Sequence, residues 1–277
     1  MRIDAHNHFW TYNPAKHSWI NDEMKVLKQD FTPSHLETLL QEQDMVGCVA
    51  VQAQENTAET GALLELAKTH SIIKGVIGWL NFLKSDIQAQ LEYYTTFEKL
   101  KGFRYVLQDK EDRKLMLNSI FVKNLKALQP YNFTYDILIF PDQLQYAAQL
   151  IKKCPKQRFV IDHLAKPYIK DNNILQWKKD ITTLAKFENA SCKISGLVTE
   201  ADWKHWTPQD ITPYLDVAVE AFGTKRLMYG SDWPVCLIAA SYSEVFGLVN
   251  NYFSSYAKEE QEAIFGKNAI NFYNLEM

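Results

Sequence analysis

The sequence predicts a (β/α)8 barrel, regular or distorted, with an aromatic loop inserted after its first strand, and three observations carry that prediction. Eight short, nearly continuous apolar runs recur along the chain, most followed by a longer stretch with the spacing of an amphipathic helix. Most of the runs start roughly 25–35 residues apart, the length of one βα unit. No GxGxxG or GxxxxGK turn follows an early run, as an open doubly wound sheet would be expected to carry. The 277 residues fit one domain spanning 1–277, because barrels of roughly 250 residues are a common single-domain size.

The strand candidates, in order, begin with MRIDAH at Met1, GCVAVQA at Gly47, IKGVIGW at Ile73 and KGFRYVL at Lys101. FTYDILIF at Phe133, RFVIDHL at Arg158, ASCKISG at Ala190 and RLMYGSD at Arg226 complete the eight. Runs apolar along their whole length are what parallel strands need, since both faces are covered. Helix signals fall between them. Thr32-Pro33 is a cap and first-turn pair ahead of Leu36, Leu39 and Leu40. Ser85 with Gln88 reads as a capping box before Leu91 and Tyr94. Pro141-Asp142 precedes Leu144, Ala148 and Ile151, and Trp177, Ile181 and Leu184 form a further stripe. Thr207-Pro208 repeats the cap signal, Ser241 with Glu244 opens another helix, and a last one is expected from near Lys258 to Phe265. The segment from Phe9 to Asp30 holds Trp10, Tyr12, His17 and Trp19, the expected aromatic loop over the barrel mouth.

In such a barrel the chemistry sits at the C-terminal ends of the strands. The first strand ends in Asp4-Ala5-His6-Asn7-His8, and two-residue alternation points His6 and His8 the same way. Two imidazoles there suit a divalent cation or an oxyanion. The sixth strand ends in His163, and the eighth in Gly230-Ser231-Asp232-Trp233-Pro234. A carboxylate beside histidines takes a proton from water and returns it to a leaving group; a helix cap at Ser231 or Asp232 is the alternative. Arg104, in the fourth strand, suits a carbonyl or carboxylate. Gln52, Gln54, Tyr135, Asp136, Lys166, Ser195 and Trp233 are substrate-contact candidates, and Trp79 is either a contact or a packed rim aromatic.

Composition narrows the class. Net charge is -3 with no block of like charge, so no nucleic acid or anionic membrane is expected as partner. No run approaches 18 apolar residues and no apolar stretch follows the start, so neither a membrane span nor a signal peptide is expected, and the cytoplasm is the expected location. Cys48, Cys154, Cys192 and Cys236 form no CxxC pair and read as reduced, buried thiols. A GxSxG elbow is missing, and no cysteine has a matched histidine, which argues against a covalent hydrolase.

Taken together, DAHNHFW, VQAQENTAET, GFRYVLQ, VIDHLAKP, KISGLVTEADW, YGSDWPV and the closing GKNAINFY resemble the amidohydrolase superfamily. Within it they are similar to the branch that contains L-fuconolactonases, L-rhamnonolactonases and 2-pyrone-4,6-dicarboxylate lactonases. The resemblance spans nearly the whole chain. It implies that His6 and His8 are the strand-one pair, His163 the strand-six histidine and Asp232 the strand-eight aspartate. The fifth run has no histidine, and Arg104 stands where a bridging lysine is sought, so a binuclear centre is not expected. A single ion, zinc first, held by His6, His8 and Asp232, or no metal at all, is the expectation.

The implied activity is hydrolysis of a small neutral carbohydrate lactone, such as L-fuconolactone, by a monomer or homodimer. Asp232 deprotonates water, and His163, Arg104 or a bound cation stabilises the oxyanion. Five arginines, with only Arg104 at an obvious site position, weigh against a dicarboxylate lactone. A metal-dependent decarboxylase on the same fold and a non-catalytic sugar-binding barrel are the other rivals, since fold alone does not choose.

Overall fold

The computed structural model describes residues 1–277. The eight strands are β1 (Arg2–Asn7), β2 (Met45–Val51), β3 (Ile73–Gly78), β4 (Leu100–Val106), β5 (Thr134–Leu138), β6 (Phe159–Ile161), β7 (Ala190–Ile194) and β8 (Leu227–Tyr229). They form one parallel sheet in sequence order. The circle closes just past the end of β8, where Asp232 N donates to His6 O at 2.9 Å and His8 N donates to Trp233 O at 2.7 Å. The backbone that closes the barrel is therefore the backbone that carries Asp232, His6 and His8.

Around the sheet lie α1 (Pro33–Glu42), α2 (Thr57–Thr69), α3 (Gln88–Tyr94), α4 (Ser119–Lys126), α5 (Leu144–Lys153), α6 (Leu175–Leu184), α7 (Pro208–Phe222), α8 (Tyr242–Tyr252), α9 (Lys258–Glu262) and α10 (Asn268–Tyr273). Several are started by local chemistry. Ser241 and Glu244 make a reciprocal cap, with Glu244 N donating to Ser241 Oγ at 3.3 Å and Ser241 N to Glu244 Oε2 at 2.8 Å. Two helices start at asparagine caps, Asn56 accepting from Glu59 N and Asn118 from Ile120 N, both at 2.9 Å.

Two expectations shift. The Ser85–Gln88 box does not form; Asp86 Oδ1 accepts from Gln88 N at 2.9 Å, and α3 starts there. The last helix is not continuous to Phe265: α9 ends at Glu262 and a π turn, Ala263–Lys267, leads into α10. The turn brings Gly266 against the first residue, where a Cβ would lie 2.1 Å from Met1 O, so only glycine fits that approach.

Inside the barrel, Ile3, Ala5, Val49, Val51, Ile77, Val160 and Met228 form an apolar plug, extended by Ala269, Tyr273 and Leu275 of the C-terminal segment. Each valine, isoleucine, leucine or methionine among them contributes about 1.5–3 kcal/mol by leaving water. No helix is long and apolar enough to cross a membrane. The four cysteines are buried and unpaired.

The loop after β1 contains a short helical turn, Asp22–Leu27. Trp10 is buried there, pairing in backbone with Phe31 and packing edge-on against Trp19 and Phe31 at 5.9 and 5.3 Å.

Candidate active site

The first strand does not alternate evenly. On β1, Asp4 pairs with Cys48 but Asn7 pairs with Ala50, so one extra residue bulges out of the ladder. Ala5 joins the interior plug and His6, its neighbour, also meets interior side chains, while Asp4 bonds outward to Tyr242 of α8 at 3.1 Å. A bulge re-aims a side chain at the cost of one ladder position. Beyond it, His6 and His8 face each other with Nε2 atoms 3.2 Å apart. Burial pushes the Asp4 carboxyl up to about 6, despite donation from Ser231 N, His6 N and Tyr242 OH.

His163 arrives on an unusual turn. His163, Leu164, Ala165 and Lys166 all have φ between 51° and 58°, the left-handed region. L-residues there cost about 1–2 kcal/mol each. The turn is held by Lys166 N donating to His163 O at 2.7 Å and by Trp177 Nε1 donating to Leu164 O at 2.7 Å. With three residues per turn, His163 and Lys166 fall on one side, and both line the cavity above the barrel. His163 Nδ1 is 2.8 Å from Ser195 Oγ, and its Nε2 is 3.9 Å from Asp232 Oδ1.

Asp232 also has a left-handed backbone, φ 58°. Its side chain caps no helix. Oδ1 lies 3.5 Å from His8 Nε2 and 3.8 Å from His6 Nε2. Burial works against its charge, but attraction to His163, donation by His8 and attraction to His6 prevail and hold its carboxyl well below the usual range. For His163, burial outweighs the attraction of Asp232 and Asp162 and lowers its proton affinity to about 4, so the imidazole is neutral near pH 7.

His6 Nε2, His8 Nε2 and Asp232 Oδ1 thus form a triangle with edges of 3.2, 3.5 and 3.8 Å. Donors about 2.0–2.1 Å from one tetrahedral zinc stand about 3.3 Å apart, so one divalent ion fits this donor set. A second trio, His6, Asp162 and His163, shares His6. Asp162 in that trio is already engaged by Arg104 Nη1 at 3.1 Å and Lys193 Nζ at 3.0 Å.

Above the triangle is a cavity of about 820 Å³. Of the residues singled out in the sequence, His8, Gln54, Arg104, His163, Lys166 and Asp232 line it, as do Trp19 and Trp203. His6 lies just beneath. Others are placed elsewhere. Gln52 is wholly buried, its Nε2 donating to Arg104 O at 3.2 Å while its backbone carbonyl accepts from Arg104 Nη2, so it braces the arginine. Tyr135 turns outward into the helical layer and packs against Phe82 at 5.3 Å and Phe121 at 6.2 Å. Trp79 stacks on Tyr105 at 5.9 Å, and Trp233 packs on Phe31 at 5.2 Å, both outside the cavity lining. Ser195 touches His163 rather than the open space.

The register explains the case of Tyr135. Arg104 pairs with Asp136, so the residue sharing its inward direction on β5 is Asp136. Asp136 accepts from Lys193 Nζ at 2.6 Å and from Tyr273 OH at 2.8 Å. Lys193, in β7, carries no exposed surface and was not anticipated; a lysine inside an apolar run was its only signal.

Two of the three cations lining the cavity are already paired. Lys166 Nζ meets Glu200 at 3.0 Å and Arg104 meets Asp162 at 3.1 Å, while Glu55 is held by Lys110 at 2.6 Å. Lys16 stands at the rim, and Asp109 adds a further carboxylate to the wall.

Comparison with known proteins agrees with this fold. The amidohydrolase family model matches residues 3–275. The L-fucono-1,5-lactonase of Burkholderia multivorans is 38% identical over 287 residues, covering 99% of this chain and 96% of that protein. The L-fucono-1,5-lactonase of Burkholderia ambifaria is 30% identical, covering 100% and 96%. A crystal structure of a Burkholderia multivorans amidohydrolase with bound zinc superposes with a TM-score of 0.93 at 38% identity, covering the whole of both chains.

Proposed function

The chain belongs to the amidohydrolase family, and on that premise we propose that it opens a small, neutral sugar lactone with water, L-fucono-1,5-lactone being the first candidate. One observation carries the choice of a neutral ring: Arg104 and Lys166, the cations deepest in the cavity, are each already paired with a carboxylate. A dicarboxylate lactone would need at least two of them free. The 38% identity to a curated L-fucono-1,5-lactonase supports the same class.

In this reading water sits against Asp232 Oδ1. The water oxygen attacks the lactone carbonyl carbon while its proton passes to the Asp232 carboxylate. The carbonyl oxygen becomes an oxyanion facing Arg104 and the Nε2 edge of His163, which donates in the tautomer whose Nδ1 accepts from the Ser195 hydroxyl. As the carbonyl reforms, the ring C–O bond breaks and the proton on Asp232 moves to the departing ring oxygen. The product is the open hydroxy acid. Trp19 and Trp203 offer apolar faces for the C–H side of the ring, and Gln54 offers its amide to the hydroxyls.

Asp232 is a weak base, its carboxyl lying well below the usual range. A divalent ion on His6, His8 and Asp232 supplies the Lewis acidity that lowers the pKa of water. One such ion per chain, zinc by its nitrogen and carboxylate donors, is part of the proposal.

A pH-indicator screen of aldonolactones, with and without chelator and with 2-pyrone-4,6-dicarboxylate alongside, tests the reading. The expected outcome is highest kcat/KM on a six-carbon or deoxy sugar lactone. A clear preference for the charged pyrone refutes it.

A further inference from the structure

The segment that carries Asp232 also builds part of the cavity wall. Cys236 N donates to Asp232 O at 2.9 Å and Leu237 N to Pro234 O at 2.9 Å, so the chain after Asp232 winds into a short helical turn, Val235–Ile238. At three residues per turn, Asp232, Val235 and Ile238 fall on one side, and all three line the cavity. Residues between them face away: Trp233 packs on Phe31 at 5.2 Å, and Cys236 is buried in the core. The turn Asp22–Leu27 packs against this one and brings Met24 to the cavity beside it. None of these three side chains offers a hydrogen-bond donor. On the neighbouring loop the donors are already committed, Thr199 Oγ1 to Gly196 O at 2.7 Å and Trp203 Nε1 to Thr199 O at 2.8 Å.

Asp232 relates this apolar patch to the reaction. In the lactone reading the carbonyl oxygen faces Arg104 and His163, while the ring oxygen comes within about 3 Å of the Asp232 carboxylate that returns the proton. In a 1,5-lactone the ring oxygen is bonded to C5, so the substituent on C5 is only two bonds beyond it. Side chains three apart on a helical turn stand about 5–6 Å from one another. That is the reach from Asp232 through the ring oxygen to the C5 substituent.

We propose that Val235 and Ile238, with Met24, form the subsite for the C5 substituent and determine specificity there, selecting a 6-deoxy sugar lactone. A methyl group fills the patch. A hydroxymethyl group must bury a hydroxyl against apolar side chains, which disfavours it, and a bare hydrogen leaves the patch unfilled. The assignment rests on the lactone reading and adds to it the residues that choose the sugar. A second apolar stretch, Val106, Leu138 and Phe140, belongs to the ends of β4 and β5, across the barrel from β8. It flanks Arg104, and so the oxyanion rather than the departing ring oxygen.

The test is steady-state kinetics of the full chain on three 1,5-lactones of one ring configuration that differ only at C5. These carry methyl (L-fucono-1,5-lactone), hydroxymethyl (L-galactono-1,5-lactone) and hydrogen (D-arabinono-1,5-lactone). One methyl or one added hydroxyl in an apolar pocket changes kcat/KM by about 10–100-fold, and the methyl lactone is expected to lead each of the others on that scale. Val235 and Ile238 are only half-buried, so threonine is tolerable at either. In Val235→Thr and in Ile238→Thr the methyl-to-hydroxymethyl ratio is expected to fall about tenfold, whereas a merely loosened fold lowers all three rates together. Val106→Thr is expected to keep the wild-type ratio. A wild type in which the methyl lactone does not lead overturns the proposal, whether or not the variants fold, and leaves the lactonase reading standing. So does a ratio unchanged in both folded variants, or one that moves in Val106→Thr instead. If none of the three lactones is opened, the lactonase reading falls and the proposal falls with it.

Discussion

Gly196 lies two residues beyond β7 with φ +62° and sits directly under the ring of His163. Alanine there would place a Cβ 2.7 Å from His163 Nδ1, 2.9 Å from Cγ and 3.1 Å from Cβ. Ordinary contact starts at 3.4 Å, so the ring must move by roughly 0.7 Å or more to reach a favourable separation. It has little room to do so. Ser195 Oγ is 2.8 Å from Nδ1, the His6 ring centroid is 4.4 Å away, and the His163 backbone is fixed in the left-handed turn. Two effects follow. A left-handed alanine costs about 1–2 kcal/mol, which in a chain of this size lowers Tm by about 2–8 °C. A catalytic group misplaced by close to 1 Å lowers turnover by about 10²-fold. We expect kcat on L-fucono-1,5-lactone to fall on that scale, with KM changed less because the cavity lining other than His163 is untouched. Initial rates by pH indicator and Tm by thermal shift measure the two separately. If Tm falls but kcat per folded molecule does not, the placement of His163 is not used in the reaction and the mechanism is wrong at that residue.

Two further outcomes are expected. Asp232→Asn keeps the shape of the side chain but cannot take a proton; kcat should drop about 10²–10⁴-fold with the fold intact, and near-full activity would remove Asp232 as the base. The second concerns acid stability. Burial, only partly offset by Asp232 and Asp162, lowers His163 to about 4 from 6.5 in the unfolded chain. As pH falls through that window the unfolded state binds the proton first, so stability is lost from about pH 6.5 down to about pH 4, by about 3 kcal/mol in all. Denaturant unfolding at about pH 7 and about pH 4.5 should therefore show a larger acid loss in the wild type than in His163→Asn; equal losses refute the shift.

Much of this architecture could be read from the chain because its cause is local. Strands covered on both faces must be apolar throughout, and all eight runs lie on strands. Caps such as Thr32-Pro33 and Ser241 with Glu244 depend on residues three positions apart, and they begin helices where expected. Asn56 and Asn118 were equally local cap signals for two of the helices left unnamed. His6, His8, His163 and Asp232 were found by one rule, that polar residues at C-terminal strand ends face the mouth.

What the sequence by itself determined was thus the order of the elements and the four side chains at their ends. Tertiary structure decided which way each neighbouring side chain turns and what it meets. Simple alternation could not foresee that a bulge in β1 sends both Ala5 and His6 inward, or that the β4–β5 register selects Asp136 over Tyr135. Nor does any pattern in VIDHLAKP announce four successive left-handed residues, since that strain persists only under the grip of Trp177 and the packed turn. Lys193 shows the reason most plainly. Its ammonium is stable inside the barrel because Asp136, Asp162 and His6 converge on it, and His6 stands 187 positions away along the chain. Contacts of that range are set by strand register and barrel closure, which act only once the whole sheet has formed.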